Sequence, residues 1–128
     1  MSRLVCFGSD QIDWIWPAVK EHIQLALNQG SDYTLEQIKE GLQKAEMQLW
    51  TSYNHGYEAA LVTALHDDYC LLLACGGTNA REWIEWYPIV EKWAKSKGAK
   101  EFRIYGRRGW LRMLEGFSEK YTVLTRTI

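Results

Sequence analysis

The sequence contains no run of about 18 apolar residues, which is the length that a membrane-spanning helix needs. Its opening, MSRLVCFGSD, also lacks the basic segment, apolar stretch and small-residue cleavage site of a secretory leader. We therefore expect a protein that remains in the cytoplasm where it is made and does not enter a membrane.

Neither sign of charge is in excess, because 15 Lys and Arg stand against 16 Asp and Glu. This balance argues against a general nucleic-acid binder but leaves room for a local basic patch. Cysteine is scarce, and its 3 residues are an odd number. Cys70 and Cys75 lie on an apparent strand at a spacing that predicts opposite faces, so we expect neither a disulfide nor a shared metal. A reducing compartment and no metal site follow as expectations.

Hydrophobic residues make up 47% and charged residues 24% of the chain, close to the average soluble globular protein. A chain of 128 residues is most stable with one hydrophobic core, since two domains of half the size would each be only marginally stable. We expect one domain over residues 1–128.

Two helices are predicted after a short strand at residues 4–7. The segment IDWIWPAVKEHIQLALNQG has Pro17 in the expected first turn and Gly30 as the expected cap. In the second helix Thr34 and Gln37 have the spacing of a capping box, in which each side chain satisfies a main-chain N–H of the other residue. The predicted buried stripe of the first helix is formed by Ile15, Val19, Ile23 and Ala26.

Three strands are predicted next, MQLWTSY, YEAALVTAL and YCLLLAC, as an antiparallel meander. The third contains an apolar run without alternation, which is typical of a strand covered on both faces. A helix is predicted over residues 79–97, ended by Gly98, and then strand EFRIYG, short helix WLRMLEG and strand YTVLTRTI. Strand, helix and strand in succession predict a crossover between parallel neighbours. The expected class is α/β, a mixed, mostly antiparallel sheet with one parallel pair and helices on both sides.

This order, together with LLLACGG leading into REWIEWYPIVEKWAKSKGAKEFRIYGRRGWLRMLEGF, resembles the GCN5-related N-acetyltransferase (GNAT) family over nearly the whole chain. In particular, it resembles small proteins of tailed phages and prophages, where two glycines precede a Trp-rich helix and Gly-Arg-Arg-Gly-Trp follows the next strand. The resemblance implies either an acetyl-CoA-dependent enzyme or a virion protein of the same shape.

An active family member holds the acetyl-CoA pyrophosphate on main-chain amides where the helix follows the fourth strand. The family loop has the pattern Arg/Gln-x-x-Gly-x-Gly/Ala, and it cannot be aligned here. The matching connection is short, and a shortened anion nest or a bulge and turn both fit it. The cofactor-binding residues that the resemblance implies are Cys75, Gly76, Gly77, Thr78, Asn79 and Arg81.

The family acid is a tyrosine four residues before a Gly-Phe pair, and here that position is Arg112. An arginine stays protonated at neutral pH, so it can hold an anion but cannot replace a phenol as proton donor. An asparagine often seen in the family is also replaced, by Tyr105. The candidate proton acceptors are Glu58, His55 and His66, each of which also fits a solvated turn or strand. Tyr121 is a candidate acid or an ordinary packed tyrosine.

Several arginines crowd around one tryptophan near the end of the chain. Guanidinium groups beside an indole suit phosphate or an acidic protein surface, although ordinary solvent-facing arginines are equally consistent with the pattern. The candidate anion or partner contacts are Arg103, Arg107, Arg108, Trp110 and Arg112.

The favoured hypothesis is a phage-type scaffold that no longer catalyses and instead binds a protein partner, in a phage assembly or on a host factor. Under it no cofactor is expected, and the protein works in the host-cell cytoplasm or the virion. The alternative is an acetyl-CoA-dependent transferase acting on an amine, with the cofactor in a wedge between the strand ending at Cys75 and the strand beginning at Glu101.

Overall fold

The structure of the chain, a computed structural model, describes residues 3–28, 31–77, 83–104, 116–118 and 124–127. Within these ranges the strands and helices follow the expected order. The strands are β1 (Arg3–Phe7), β2 (Gln48–Tyr53), β3 (Tyr57–Leu65), β4 (Tyr69–Gly77) and β5 (Glu101–Ile104), and the helices are α1 (Ile12–Leu27), α2 (Leu35–Gln43) and α3 (Trp83–Ser96).

The strands form one sheet in the order β1-β2-β3-β4-β5. All neighbours are antiparallel except β4 and β5, which are parallel because α3 carries the chain back along the sheet between them. The predicted mixed sheet with one parallel pair is confirmed. The unalternating apolar strand is β4, and it lies between β3 and β5 as its pattern predicted.

Helices cover both faces of this sheet, and each face has its own apolar core. On the α1 face, the stripe of α1 packs with Ile38 and Leu42 of α2 against sheet residues such as Leu49 and Val62. On the α3 face, Trp86 and Val90 pack against the other side of the sheet. The sheet residues in that second core are Trp50, Ala59, Leu61 and Leu72. Alternation along each strand supplies both cores from the same segments.

The first helix begins at Ile12, the first residue of the predicted segment, but the expected position of Pro17 is wrong. A 3-10 turn at Ser9–Gln11 runs directly into α1, so Pro17 lies inside the helix and not in its first turn. Proline lacks the N–H that would bond to the carbonyl of Asp13. Both residues are exposed, so water can satisfy that carbonyl. The predicted cap at Gly30 lies outside the described residues.

The capping box at the start of α2 is confirmed. The N–H of Gln37 donates to Oγ1 of Thr34 at 3.1 Å, and the N–H of Thr34 donates to Oε1 of Gln37 at 2.9 Å. Gly41 lies inside the helix, where Met47 packs directly on it. A Cβ on residue 41 would lie 2.7 Å from the Met47 sulfur. Ala45 follows the helix with a φ of 60°, the left-handed conformation that a glycine would adopt more easily.

The helix predicted over residues 79–97 is α3, whose described part ends at Ser96. Gly98 follows it with a φ of 97° and its N–H donates to the Lys95 carbonyl, which confirms the predicted stop. The short helix predicted over residues 110–116 lies outside the described residues, apart from a turn at Gly116. The final strand was predicted over residues 121–128, but residues 124–127 are not in a strand and Leu124 is 90% exposed. None of the helices described here has the length and apolar character needed to span a bilayer.

Candidate functional site

The parallel pairing of β4 with β5 covers only the first part of β4. It runs from Tyr69 opposite Glu101 to Leu72 opposite Ile104. β4 continues through residues 73–77, which have no β5 partner among the residues that the structure describes. We call residues 73–77 the open edge of β4. Within the described part of the chain, main-chain groups on this edge are available to a ligand that lies where a strand would otherwise pair.

A β-bulge marks the start of the open edge. On β3, Val62 pairs with Ala74 and the next residue, Thr63, pairs with Leu72, so Leu73 is the extra residue. Leu73 and Ala74 both pack against the core on the α1 face, although adjacent strand residues normally face opposite ways. Bulges re-aim side chains and end regular pairing, and they are frequent beside active sites.

The same bulge corrects the prediction that Cys70 and Cys75 lie on opposite faces. The extra residue between them reverses the alternation, so both thiols face α3. Cys75 packs with the core on that face. Cys70 pairs with Phe102 and lies close enough to Tyr87 to contribute to the raised pKa of that tyrosine. They remain free thiols roughly 15 Å apart along the strand. Burial raises the pKa of Cys70 to about 11 and of Cys75 to about 12, so neither is a ready nucleophile.

The two glycines are strand residues, where the sequence placed them in the connection after the strand. Gly76 pairs with Ala60 and Gly77 pairs with Ala59. A Cβ on Gly76 would overlap the main-chain carbonyl of His22 and lie 3.1 Å from Cβ of Ala26, both on α1. Gly77 has a φ of 141°, and a Cβ there would overlap main-chain atoms of β3. Protein backbone already fills the space above both glycines, so the pair does not form an open cradle for a diphosphate.

Close to the glycines lies a polar group that the sequence analysis did not single out. Nε2 of the half-buried His22 is 2.9 Å from the carbonyl oxygen of Tyr57. A carbonyl only accepts, so Nε2 of His22 is the donor in this hydrogen bond. Glu58, the next residue on β3, is half-buried, and its carbonyl is the one that a side chain on Gly77 would overlap. The structure thus places the candidate acceptor Glu58 beside the end of the open edge.

The other two candidate acceptors lie in hairpin turns. His55 is exposed in the turn between β2 and β3, with a φ of 65°. His66 stacks on Tyr69 in the turn between β3 and β4, with ring centroids 4.6 Å apart. That second turn is at the opposite end of β4 from Gly77. The structure therefore separates His66 from the open edge.

Arg103 also lies at that far end. Its guanidinium is 3.8 Å from the centre of the Tyr69 ring, and its Nε donates to Glu101 at 2.6 Å. These contacts hold the Arg103 side chain against Tyr69 of β4 and Glu101 of β5. A pocket of about 540 Å³ opens beside it, lined by Leu65, His66, Asp67, Asp68, Tyr69 and Arg103. It is separate from the open edge.

The remaining candidates fall outside the described residues. They are Thr78, Asn79 and Arg81 of the cofactor set, Arg107, Arg108, Trp110 and Arg112 of the contact set, and Tyr121. Among the residues that are described, no three His, Cys, Asp or Glu side chains lie close enough together to hold a metal ion.

Two features of the site escaped sequence reasoning. The bulge at Leu73 lies inside an unbroken apolar run, and such a run shows no alternation in which an extra residue could be noticed. His22 lies next to the apolar stripe of α1, between Val19 and Ile23. A histidine at such a position does not by itself indicate a functional site. Only the approach of α1 to Gly76 shows that it lies over the open edge.

Solved structures with the same shape are acetyltransferases. An aminoglycoside acetyltransferase, meta-AAC0020, from an uncultured soil metagenomic sample and in complex with sisomicin, aligns with a TM-score of 0.71 at 7% identity, covering 99% of this chain and 95% of that chain. A "predicted acetyltransferase" from Clostridium acetobutylicum, with acetyl-CoA, aligns with a TM-score of 0.69 at 10% identity over 99% and 96% of the two chains. A GCN5-related N-acetyltransferase from Ralstonia eutropha JMP134 aligns with a TM-score of 0.68 at 11% identity over 100% and 99%.

No protein-family model matches the sequence, and no curated protein sequence matches it. At identities of 7% to 11% the structural likeness shows the fold alone. The fold of this chain is that of the GCN5-related N-acetyltransferases.

Proposed function

We propose that the chain binds an acyl-CoA along the open edge of β4 and transfers the acyl group to an amine. The observation that carries the proposal is the open edge itself: five residues of β4 continue past the last β5 pair and begin with a bulge. A ligand with amide groups, such as the pantetheine arm of coenzyme A, can bond to a strand edge as another strand would. One of the similar structures is described as being in complex with acetyl-CoA. This chain aligns with 96% of that structure.

The roles within the chain follow from this geometry. Main-chain groups of Leu73 and Cys75 would hold the ligand, and residues 78–81, including Thr78, Asn79 and Arg81, would meet the phosphates at the start of the α3 region. The cofactor supplies an acyl thioester. Glu58 is the proposed proton acceptor for the amine, because it is half-buried beside Gly77. Tyr121 is the proposed phenol for the leaving thiolate, since Arg112 cannot donate a proton at neutral pH.

Thermal unfolding with and without acetyl-CoA tests the binding step. A ligand at about 100 times its dissociation constant adds about 2.7 kcal/mol to the free energy of unfolding, which is an easily measured shift in Tm. ATP at the same concentration is the control for non-specific binding of phosphates. If acetyl-CoA at millimolar concentration shifts Tm no more than ATP does, the enzyme proposal is wrong.

Transfer is tested separately from binding with Glu58→Gln, which removes the basic carboxylate at constant size. We expect an unchanged Tm shift with acetyl-CoA and a fall in acetyl transfer to a panel of amines of about 100-fold or more. Glu36→Gln on the exposed surface of α2 is the matched control. Equal activity of the two variants would exclude Glu58 as the proton acceptor.

A second candidate function is a phage-type binding module without catalysis. It is favoured by the space above Gly76 and Gly77, which protein backbone fills. A protein partner in a phage assembly or a host factor would contact the segment with Arg107, Arg108, Trp110 and Arg112, and Arg103 would support that segment from β5. This function predicts no Tm shift with acetyl-CoA and a loss of partner binding in Arg107→Glu with Arg108→Glu. Retained partner binding in that double variant would contradict it.

A further inference from the structure

The outer edge of β1 is unpaired in the part of the chain that the structure describes. β1 is the first strand of the sheet, and among the described strands it pairs with β2 alone, in a register without a shift from Arg3 to Phe7. The strand contains no proline and no bulge, the features that commonly block an edge from pairing with another strand. As far as the described residues extend, its main-chain N–H and C=O groups on the outer side are therefore open to an added strand.

Exposed aromatic side chains lie beside this edge. The ring of Trp14 is 71% exposed and lies 6.2 Å from the half-buried ring of Phe7, the last residue of β1. Phe7 in turn contacts Tyr57 at 5.9 Å, and Tyr57 contacts the exposed Tyr53 at 5.1 Å. These ring contacts form one connected aromatic patch, and a contiguous exposed apolar patch can mark an interaction site.

The charges at the two ends of β1 are opposite. Arg3 at the start is exposed and is the only charged residue of the strand. Asp10, just past the other end, is also exposed, and its carboxylate lies against Gly8, since a Cβ on Gly8 would lie 3.0 Å from its Oδ1. When two copies of β1 lie side by side and antiparallel, the basic start of each strand therefore lies beside the acidic end of the other.

We propose that β1 pairs antiparallel with β1 of a second copy of this chain, centred on Val5. This register sets Arg3 opposite Phe7 of the second copy, next to Gly8 and within reach of Asp10 there. The twofold axis repeats the contact, so two Arg–Asp pairs form. The guanidinium of Arg3 also approaches the exposed ring of Trp14, a favourable cation–π position. The two sheets join into one continuous sheet across the dimer.

The charge arrangement gives the sharpest test. At about 100 µM the chain should sediment at twice its mass of 14.9 kDa. Arg3→Glu places two acidic groups together in each contact and should raise the dimer dissociation constant roughly tenfold or more. Adding Asp10→Arg reverses both charges and should restore the dimer. Arg126→Glu makes the same charge change at an exposed position near the other end of the chain and should leave the mass unchanged.

A cross-link tests the register independently. The proposed pairing sets Leu4 opposite Cys6 of the second copy on the α3 face, so Leu4→Cys should form an inter-chain disulfide under mild oxidation. Leu4→Cys combined with Cys6→Ser keeps Arg3 but removes the partner thiol, so it is the control and should not cross-link. A monomer at about 100 µM, failure of the charge reversal to restore the dimer, or equal cross-linking of the two cysteine variants would each overturn the proposal. These outcomes do not depend on acetyl-CoA, so they are separate from the test of the proposed function.

Discussion

The main-chain carbonyl of His22 lies directly over Gly76, so helix α1 and strand β4 approach each other backbone to backbone. The contact leaves room for a hydrogen atom on the glycine and for nothing larger. It fixes how closely α1 covers the open edge of β4, and it sets His22 within 2.9 Å of the Tyr57 carbonyl on β3. The glycine that resembled part of a phosphate loop is required by helix packing.

Gly76→Ala is therefore expected to destabilise the protein by about 1–3 kcal/mol, because the added methyl group must push α1 away from the sheet. Urea unfolding measured by circular dichroism gives the free energy. Gly56→Ala is the control, since a Cβ there has no atom within 4 Å and should cost little. Equal stability of the two variants would show that the close approach of α1 to β4 is wrong.

Ala45→Gly is expected to stabilise the protein by about 0.5–1 kcal/mol. Ala45 has a φ of 60°, where a side chain is strained and glycine is not, and this relief outweighs the added freedom of the unfolded chain. Ala18→Gly is the matched control in an exposed position of α1, where the same exchange should cost about 1 kcal/mol. Chemical denaturation should thus give opposite signs for two identical substitutions, and the same sign for both would contradict the geometry at Ala45.

Stability should fall in alkaline solution. Burial raises the pKa of Cys70 from 9.0 to about 11 and that of Cys75 from 9.0 to about 12. Below pH 9 both thiols are neutral in the folded and unfolded states, and this stability is fully present. Above pH 9 the unfolded chain loses protons that the folded chain keeps, so the free energy of unfolding declines until the pH passes each folded pKa. The slope is up to about 1.4 kcal/mol per pH unit for each thiol.

The unfolding free energy measured in urea from pH 8 to pH 11 checks this prediction. Cys70→Ala should remove one thiol's share of the decline, as should Cys75→Ala. Tyr87, whose pKa is raised by burial and by Glu91, adds to the decline above pH 10 in every variant. A decline that is the same with and without the two thiols would rule out their burial as its cause.

Thr34→Ala is expected to cost about 1 kcal/mol, because the N–H of Gln37 at the start of α2 loses its acceptor. Thr34→Ser keeps the oxygen and should retain most of the stability. The shift in Tm of the two variants, measured by calorimetry, separates loss of the cap from loss of the methyl group. If both variants lose the same amount, the hydrogen bond to Gln37 does not stabilise the helix.

Local patterns were sufficient for much of the fold. The capping box at Thr34 and the helix stop at Gly98 depend on neighbours within a few residues, and each is found as predicted. The antiparallel meander is also found, although its third strand continues two residues further, to Gly77. Pro17 was expected in the first turn of α1, but the helix begins at Ile12 directly after a 3-10 turn, so Pro17 lies beyond its first turn. Thr78, Asn79 and Arg81 remain predictions, as do the arginines after residue 105.

The amino-acid sequence by itself determined the order of elements, the buried stripes and the mixed sheet, since these follow from periodicity and capping along a continuous stretch of chain. The tertiary structure alone decided the bulge at Leu73, the common face of Cys70 and Cys75 and the packing role of Gly76. The physical reason is that each of these depends on contact between segments far apart in sequence. A one-residue shift between two strands, or a carbonyl from a distant helix, has no counterpart in the local pattern of residues.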